Sequence, residues 1–339
     1  MASNQPSLFI DGEAGTTGLG IRKGLEMVPE IVLRSLPAAQ RKDPSARQDI
    51  MAECDLVVLC LPDDAAREAV ALAGALGNDA PKLLDASTAH RVDPEWTYGF
   101  PEMSPDQPRK IAKSPQVANP GCYPTGAIGL LRPLVQAGLV PPDYPISISA
   151  VSGYSGGGKS MIEAHDRADG PAFELYALDL EHKHVPEIES FAGLSRRPIF
   201  VPSVGHFRQG MLVSVPLYLD ELPGRPTGAD LREALGVFYE GSKHVTVAVG
   251  SKADKLEPEG LNGTNRLDLY VCANEARRHA VLVAQLDNLG KGASGAAVPA
   301  ACLRAEKPTA TAPAARHRTR TRPMPARGPP SARRESTPA

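Results

Sequence analysis

The sequence predicts an α/β chain in two parts: a parallel sheet covered by helices on both faces, then an α+β region built on a mixed sheet. Over the first third, short apolar runs alternate with stretches of helical periodicity, as in strands joined by crossover helices. From about residue 145, apolar and polar residues alternate at period two, the signature of a sheet with one packed face. With 339 residues, 42% hydrophobic and 22% charged, the chain is long enough for two cores and ordinary in balance for a soluble globular protein.

Residues 7–11, 31–35, 56–61 and 82–86 read as strands of the first sheet, with 56–61 the clearest buried one. Asp63 and Asp64 read as caps of a helix running to about Ala75. Residues 146–151, 211–219, 245–249 and 267–271 alternate and read as strands of the second sheet. The expected division is 1–120 for the first domain and 121–286 for the second. Residues 287–300 are expected to return to the first domain, and 301–339 to form a disordered basic tail.

No run approaches the roughly 18 apolar residues that a membrane span needs. The first residues lack the basic-then-apolar order of a signal peptide. Five cysteines (Cys54, Cys60, Cys122, Cys272, Cys302) form no C-x-x-C pair, so a reducing, cytoplasmic setting is expected. The net charge of −2 conceals an asymmetry: nine Arg or Lys against two Glu from Pro299 onward give a tail of +7, leaving −9 on residues 1–298. That tail has no aromatics and no binding motif, so neither nucleic acid nor membrane is expected as a partner.

Gly12, Ala14, Gly15, Thr16, Thr17 and Gly18 directly follow the first strand and open an apolar-periodic helix. Such a turn lets backbone approach a pyrophosphate, whose charge the helix N-terminus favours, and it predicts a Rossmann-like nucleotide domain. The second strand ends without the acidic residue that usually binds a ribose 2′-hydroxyl. Ser35 stands there instead, with Arg41 and Lys42 following, a set suited to the 2′-phosphate of NADP.

Cys122 lies in the run 119–124, where a Pro-Gly turn hands over to a helix with Pro124 in its first turn. A free cysteine with pKa about 8.5 is mostly protonated at pH 7, whereas a helix N-terminus or a nearby cation lowers that value. Cys122 is therefore the expected nucleophile. A nucleotide fold combined with such a thiol suits reduction of an activated carboxyl group through a thioester. His206, in a Gly-flanked loop, is the expected acid–base group, with Arg208 close by. Arg91, beyond the fourth strand, is the expected contact for a substrate phosphate. Ser152 and Gly153 in a Gly/Ser loop, together with His184, are expected to make polar substrate contacts. His182 and His184 have metal-like spacing but no further ligand cluster, so no metal is expected.

Taken together, the runs 12–18, 85–91, 119–124, 152–156, 182–187, 205–206 and 288–292 resemble the N-acetyl-γ-glutamyl-phosphate reductase family in its shorter variant, over residues 6–298. The resemblance implies Cys122 as nucleophile, His206 as general acid–base, and NADPH at the glycine loop with Asn288 and Gly292 returning to the cofactor side. It implies a small acyl-phosphate substrate in arginine biosynthesis and a homodimer or homotetramer with the second sheet in the interface. An aspartyl or aminoadipyl phosphate, or a nucleotide-binding regulator without chemistry, are the alternatives. The chain departs from the family after Val298. There Pro299 is expected to interrupt the terminal apolar helix, as a shifted reading frame or replaced terminus would.

Overall fold

The computed structural model describes residues 5–249 and 255–305. The basic tail from residue 306 onward, with what was expected of it, lies outside the described residues. The first sheet contains β1 (Ser7–Asp11), β2 (Val32–Arg34), β3 (Leu56–Leu59), β4 (Lys82–Asp85), β5 (Thr97–Tyr98) and β6 (Gln116–Ala118). Their order is β2-β1-β3-β4-β6-β5, and every neighbouring pair is parallel. Parallel neighbours need crossovers, supplied by α1 (Thr16–Leu25), α2 (Pro44–Ala52), α3 (Asp63–Gly74) and α4 (Gln107–Lys113). Successive strand residues face opposite ways, so Leu8, Ile10, Leu56 and Val58 pack with Ile21 of α1 and Ile111 of α4. Phe9, Val57 and Leu59 pack on the other face with Met51 of α2 and Ala69 of α3.

One cap differs from expectation. Asp63 and Asp64 are the first residues of α3 rather than its caps; Pro62 holds that position without a side-chain bond. The Asp63 carboxylate instead accepts from Thr88 N at 3.0 Å and from Thr88 Oγ1, fastening the loop after β4.

A second, mixed sheet follows α5 (Cys122–Gln136). It comprises β7 (Ser147–Gly153), β8 (Phe173–Leu175), β9 (Ile199–Gly205), β10 (Met211–Tyr218), β11 (Val245–Val247), β12 (Leu267–Asn274) and β13 (His279–Leu286), with α6 (Gly158–His165), α7 (Val185–Ala192) and α8 (Gly228–Phe238) between strands. The order is β11-β12-β13-β10-β7-β9-β8. Its buried face packs on α5, α7 and α8 around Ile128, Leu131, Leu134, Ile188 and Leu235. Its other face exposes Phe173, Leu175, Ile199, Tyr218 and Val281.

After β13 a π-turn over Gly290–Ser294 leads into α9 (Gly295–Ala305), which packs against α1 and α4 of the first sheet. Pro299 lies inside α9, so the helix continues where the sequence predicts a break, and residues 301–305 are helix rather than tail. An interior proline costs about 3 kcal/mol. Opposing this, Ala297, Ala300 and Ala301 are wholly buried in the first-sheet core. Arg304 donates to the Ile111, Ser114 and Pro115 carbonyls at 3.2, 2.6 and 2.8 Å, and Lys82 Nζ donates to the Arg304 carbonyl at 3.0 Å.

Candidate active site

Cys122 is the first residue of α5, after Gly121, whose cap position carries no side-chain hydrogen bond. The strand–turn–helix course from β6 thus presents its thiol at a bare helix N-terminus. Two cavities of about 200 Å³ each meet at this residue. One faces the first domain and is lined by Thr16, Thr17, Ala86, Arg91, Asn288 and Gly292. The other faces the second domain and is lined by Ser152, Gly153, Met161, Tyr176 and His182. Lys183 and His184 line both.

A cation and an imidazole converge beside the thiol. A Cβ built on Gly121 would lie 2.5 Å from Arg91 Nη1 and 2.7 Å from His184 Nε2, so only glycine admits both groups there. Arg91 is held by Glu187: Nη1 donates to Glu187 Oε2 at 3.1 Å, and Nη2 donates to the Ala86 carbonyl at 3.3 Å. The other carboxylate oxygen, Glu187 Oε1, accepts from Gly121 N at 2.8 Å and from Tyr98 Oη at 2.7 Å. One buried carboxylate therefore fixes both the guanidinium and the turn that carries the nucleophile. Arg91 Nε and His184 Nδ1 are buried without a hydrogen-bond partner.

The electrostatics differ from the sequence-based expectation. Burial pushes the Cys122 thiol up to about 11, and Arg91 only partly opposes it. The resting group is a thiol, so attack requires a base. Burial, followed by the charges of Arg91, His182 and Lys183, holds the His184 imidazole well below the usual histidine range, so it is neutral at pH 7. Burial and Lys183 likewise bring His182 down to about 4. Because both folded-state values lie below the unfolded one, stability is complete above about pH 6.5 and lost as pH falls. For His182 alone the loss by pH 4 is on the order of 3 kcal/mol. We expect the urea midpoint to fall between pH 6.5 and 4, and His182→Asn to flatten that fall.

His206 is not brought to Cys122. Neither His206 nor Arg208 lines either cavity. The exposed His206 ring stacks on His165, with Nδ1 atoms 3.4 Å apart, and leans on Tyr154. The reason is local: the turn after β9 packs behind the Gly153 loop, where Phe207 and Arg208 carbonyls accept from Tyr154 N and Ser155 N at 3.0 Å. His184, expected only as a polar contact, lines both cavities together with Cys122. Asn288 lines the cavity, yet its amide is engaged within the protein, accepting from Gly210 N at 2.7 Å and donating to Ser155 Oγ at 3.0 Å. Gly292 lies against the nucleophile: a Cβ there would be 2.8 Å from Cys122 Cβ. Gly292→Ala is expected to cut turnover by roughly 10²-fold with the fold retained, the penalty for a displacement near 1 Å; steady-state kinetics beside circular dichroism checks it.

The nucleotide loop suits a pyrophosphate. Gly15 caps α1 without a side-chain bond, the first turn carries no acidic residue, and Ala14 and Gly15 are exposed. Gly12, with φ +88°, and the buried Gly18 complete the turn. Ser35 and Arg41 do converge nearby, with Arg22, on one anion, the carboxylate of Glu13. Two guanidiniums and a hydroxyl around a negative group form a donor set that matches a phosphate monoester. Sequence reasoning gave no role to Glu13, Arg22 or Glu187. For Glu187 a signal exists: it follows His184 by three residues, the spacing that puts both on one helix face.

Comparison with known proteins identifies the family of both parts of the chain. Residues 30–111 match the family described as semialdehyde dehydrogenase, NAD binding domain, and residues 122–288 match semialdehyde dehydrogenase, dimerisation domain. The chain is 53% identical over 300 residues to the N-acetyl-gamma-glutamyl-phosphate reductase of Burkholderia cenocepacia, covering 86% of this chain and 95% of that protein. It is 52% identical to N-acetyl-gamma-glutamyl-phosphate reductase 2 of Pseudomonas putida at the same coverage. Among solved structures, aspartate semialdehyde dehydrogenase II of Vibrio cholerae superposes with a TM-score of 0.67 at 15% identity, covering 89% of this chain and 98% of that one.

Proposed function

The chain belongs to the N-acetyl-γ-glutamyl-phosphate reductase family, and from that premise we propose how its residues carry the reaction. It reduces N-acetyl-γ-glutamyl phosphate to N-acetylglutamate 5-semialdehyde with release of phosphate, a step of arginine biosynthesis. The observation that carries the assignment is Cys122 at the junction of two cavities, with Arg91 and His184 beside it.

The Cys122 sulfur attacks the acyl carbon, the bond from that carbon to the phosphate oxygen breaks, and a thioester forms on the protein. The thiol proton passes to the neutral His184 imidazole. Arg91 and Lys183, which has no salt bridge among the described residues, line the cavity and stabilise the departing phosphate, which takes its proton from solvent. NADPH, when bound, supplies the hydride that takes the thioester to the aldehyde level. As the aldehyde leaves, Cys122 departs as thiolate and recovers the proton held on His184. The α1 N-terminus with Thr16 and Thr17 would hold the pyrophosphate, and Ser35, Arg22 and Arg41 the 2′-phosphate. Ser152 and Gly153 line the side on which the acetylated amino-acid portion would lie.

The exposed apolar face of the second sheet, around Leu212, Val281 and Phe173, supports a homodimer or homotetramer formed through that sheet. Among the described residues no helix is long and apolar enough to cross a membrane, and we take the cytoplasm as the site of action. Phosphate-dependent reduction of NADP by N-acetylglutamate 5-semialdehyde, run beside aspartate semialdehyde, tests the reading. A preference for the aspartyl compound would overturn the substrate, and turnover without phosphate would overturn the acyl-phosphate chemistry.

A further inference from the structure

Glu13 sits inside the anion pocket that the cofactor reading requires. Its Oε2 accepts from Arg22 Nη1 at 2.6 Å and from Ser35 Oγ at 2.8 Å, and its Oε1 lies 2.7 Å from Arg41 Nη2. The Glu13 side chain is 9% exposed, whereas the Arg22 and Arg41 side chains are 35% and 41% exposed. The carboxylate is thus the inner member of the cluster, and the arginines close over it from the solvent side. The usual acidic residue of a nucleotide site stands at the end of the second strand and reads a ribose hydroxyl. Here that place is taken by Ser35, and the carboxylate comes from the glycine loop instead.

We propose that Glu13 is an internal competitor for the 2′-phosphate of NADPH. Its carboxylate occupies the Arg22–Ser35–Arg41 pocket in the free protein and must turn out of it for the phosphate to enter. A carboxylate and a phosphate dianion cannot share two guanidiniums and one hydroxyl without strong repulsion at this distance. Only the fraction of molecules with Glu13 turned outward binds the phosphate, so the apparent affinity is lowered by that fraction. A ligand without the 2′-phosphate pays no such penalty. Glu13 therefore narrows the preference for NADPH over NADH, making it a residue that sets cofactor selectivity. The inference rests on the NADPH reading above.

Calorimetric titration of wild type, Glu13→Gln and Glu13→Ala with 2′,5′-ADP and with 5′-AMP separates the two. Removing the carboxylate should tighten 2′,5′-ADP about tenfold, the factor for a competent fraction near one in ten, while 5′-AMP changes less than about twofold. NADPH and NADH titrations should repeat the pattern, and two variants guard against one that fails to fold. If wild type prefers 2′,5′-ADP but neither variant tightens it, or both ligands tighten equally, the competitor role is wrong and the NADPH reading stands. A selective weakening of 5′-AMP and NADH in the variants would make Glu13 a ribose-hydroxyl contact and also overturn the proposal. If neither wild type nor either variant favours 2′,5′-ADP over 5′-AMP, both readings are overturned.

Discussion

Cys122→Ser is expected to lower turnover by at least about 10⁴-fold while NADPH still binds and the melting temperature is kept. The substitution exchanges one atom in a side chain that is only partly exposed, so it opens no cavity of consequence. A hydroxyl is a far weaker nucleophile than a thiol in the same place. The environment sharpens this contrast, because burial already raises the thiol to about 11 and leaves the reaction dependent on a base. A serine would have a still higher pKa to overcome. Rapid mixing of wild type with the semialdehyde, NADP and phosphate should show a burst tied to the acyl-enzyme, and the variant should show none. Turnover within tenfold of wild type would falsify the covalent route.

His184→Asn is expected to cost about 10² to 10⁴-fold in turnover, the usual worth of a positioned proton-transfer group. His206→Asn is expected to cost less than about tenfold, because a side chain outside the reacting cluster removes no proton-transfer step. The pH dependence separates the two as well. His184 is depressed well below 6.5 by burial and by its cationic neighbours, so its neutral form persists as pH falls through 6.5. Wild-type kcat/KM should stay level through that region and drop only in more acidic solution. The asparagine variant at position 184 should lack that acidic limb, and the one at 206 should retain it. The reverse pattern would return the acid–base role to His206.

The fold was largely legible because parallel and half-exposed strands leave opposite periodicities. Residues 56–59, buried on all four positions, and 211–218, alternating, illustrate the two cases. Strand β9 carries Pro202 within it, and β13 is apolar almost throughout, so neither shows the plain period-two pattern of a half-exposed strand. The site divides in the same way. Cys122 could be found from its local turn, since Pro and Gly fix the backbone by their own chemistry. The choice between histidines could not. His206 has the more suggestive neighbours in sequence, but a hydrogen-bonded loop contact from Tyr154 and Ser155, some 50 residues earlier, turns it away from the cleft. Likewise the depressed imidazole and the raised thiol arise from burial by segments far apart in the chain. Proline at position 299 looked decisive because its local cost is large, yet buried alanines and the three carbonyls met by Arg304 outweigh it.

Helix α9 has a consequence for the order of events during synthesis. The first sheet's outer layer between α1 and α4 is filled by residues that leave the ribosome only after the entire second sheet has been made. Until then Ile21, Leu25 and Ile111 face water along one side, and the nascent amino-terminal half remains an incomplete folding unit. The glycine loop and the thiol-bearing helix, both touched by the 290–294 turn, acquire their working arrangement last.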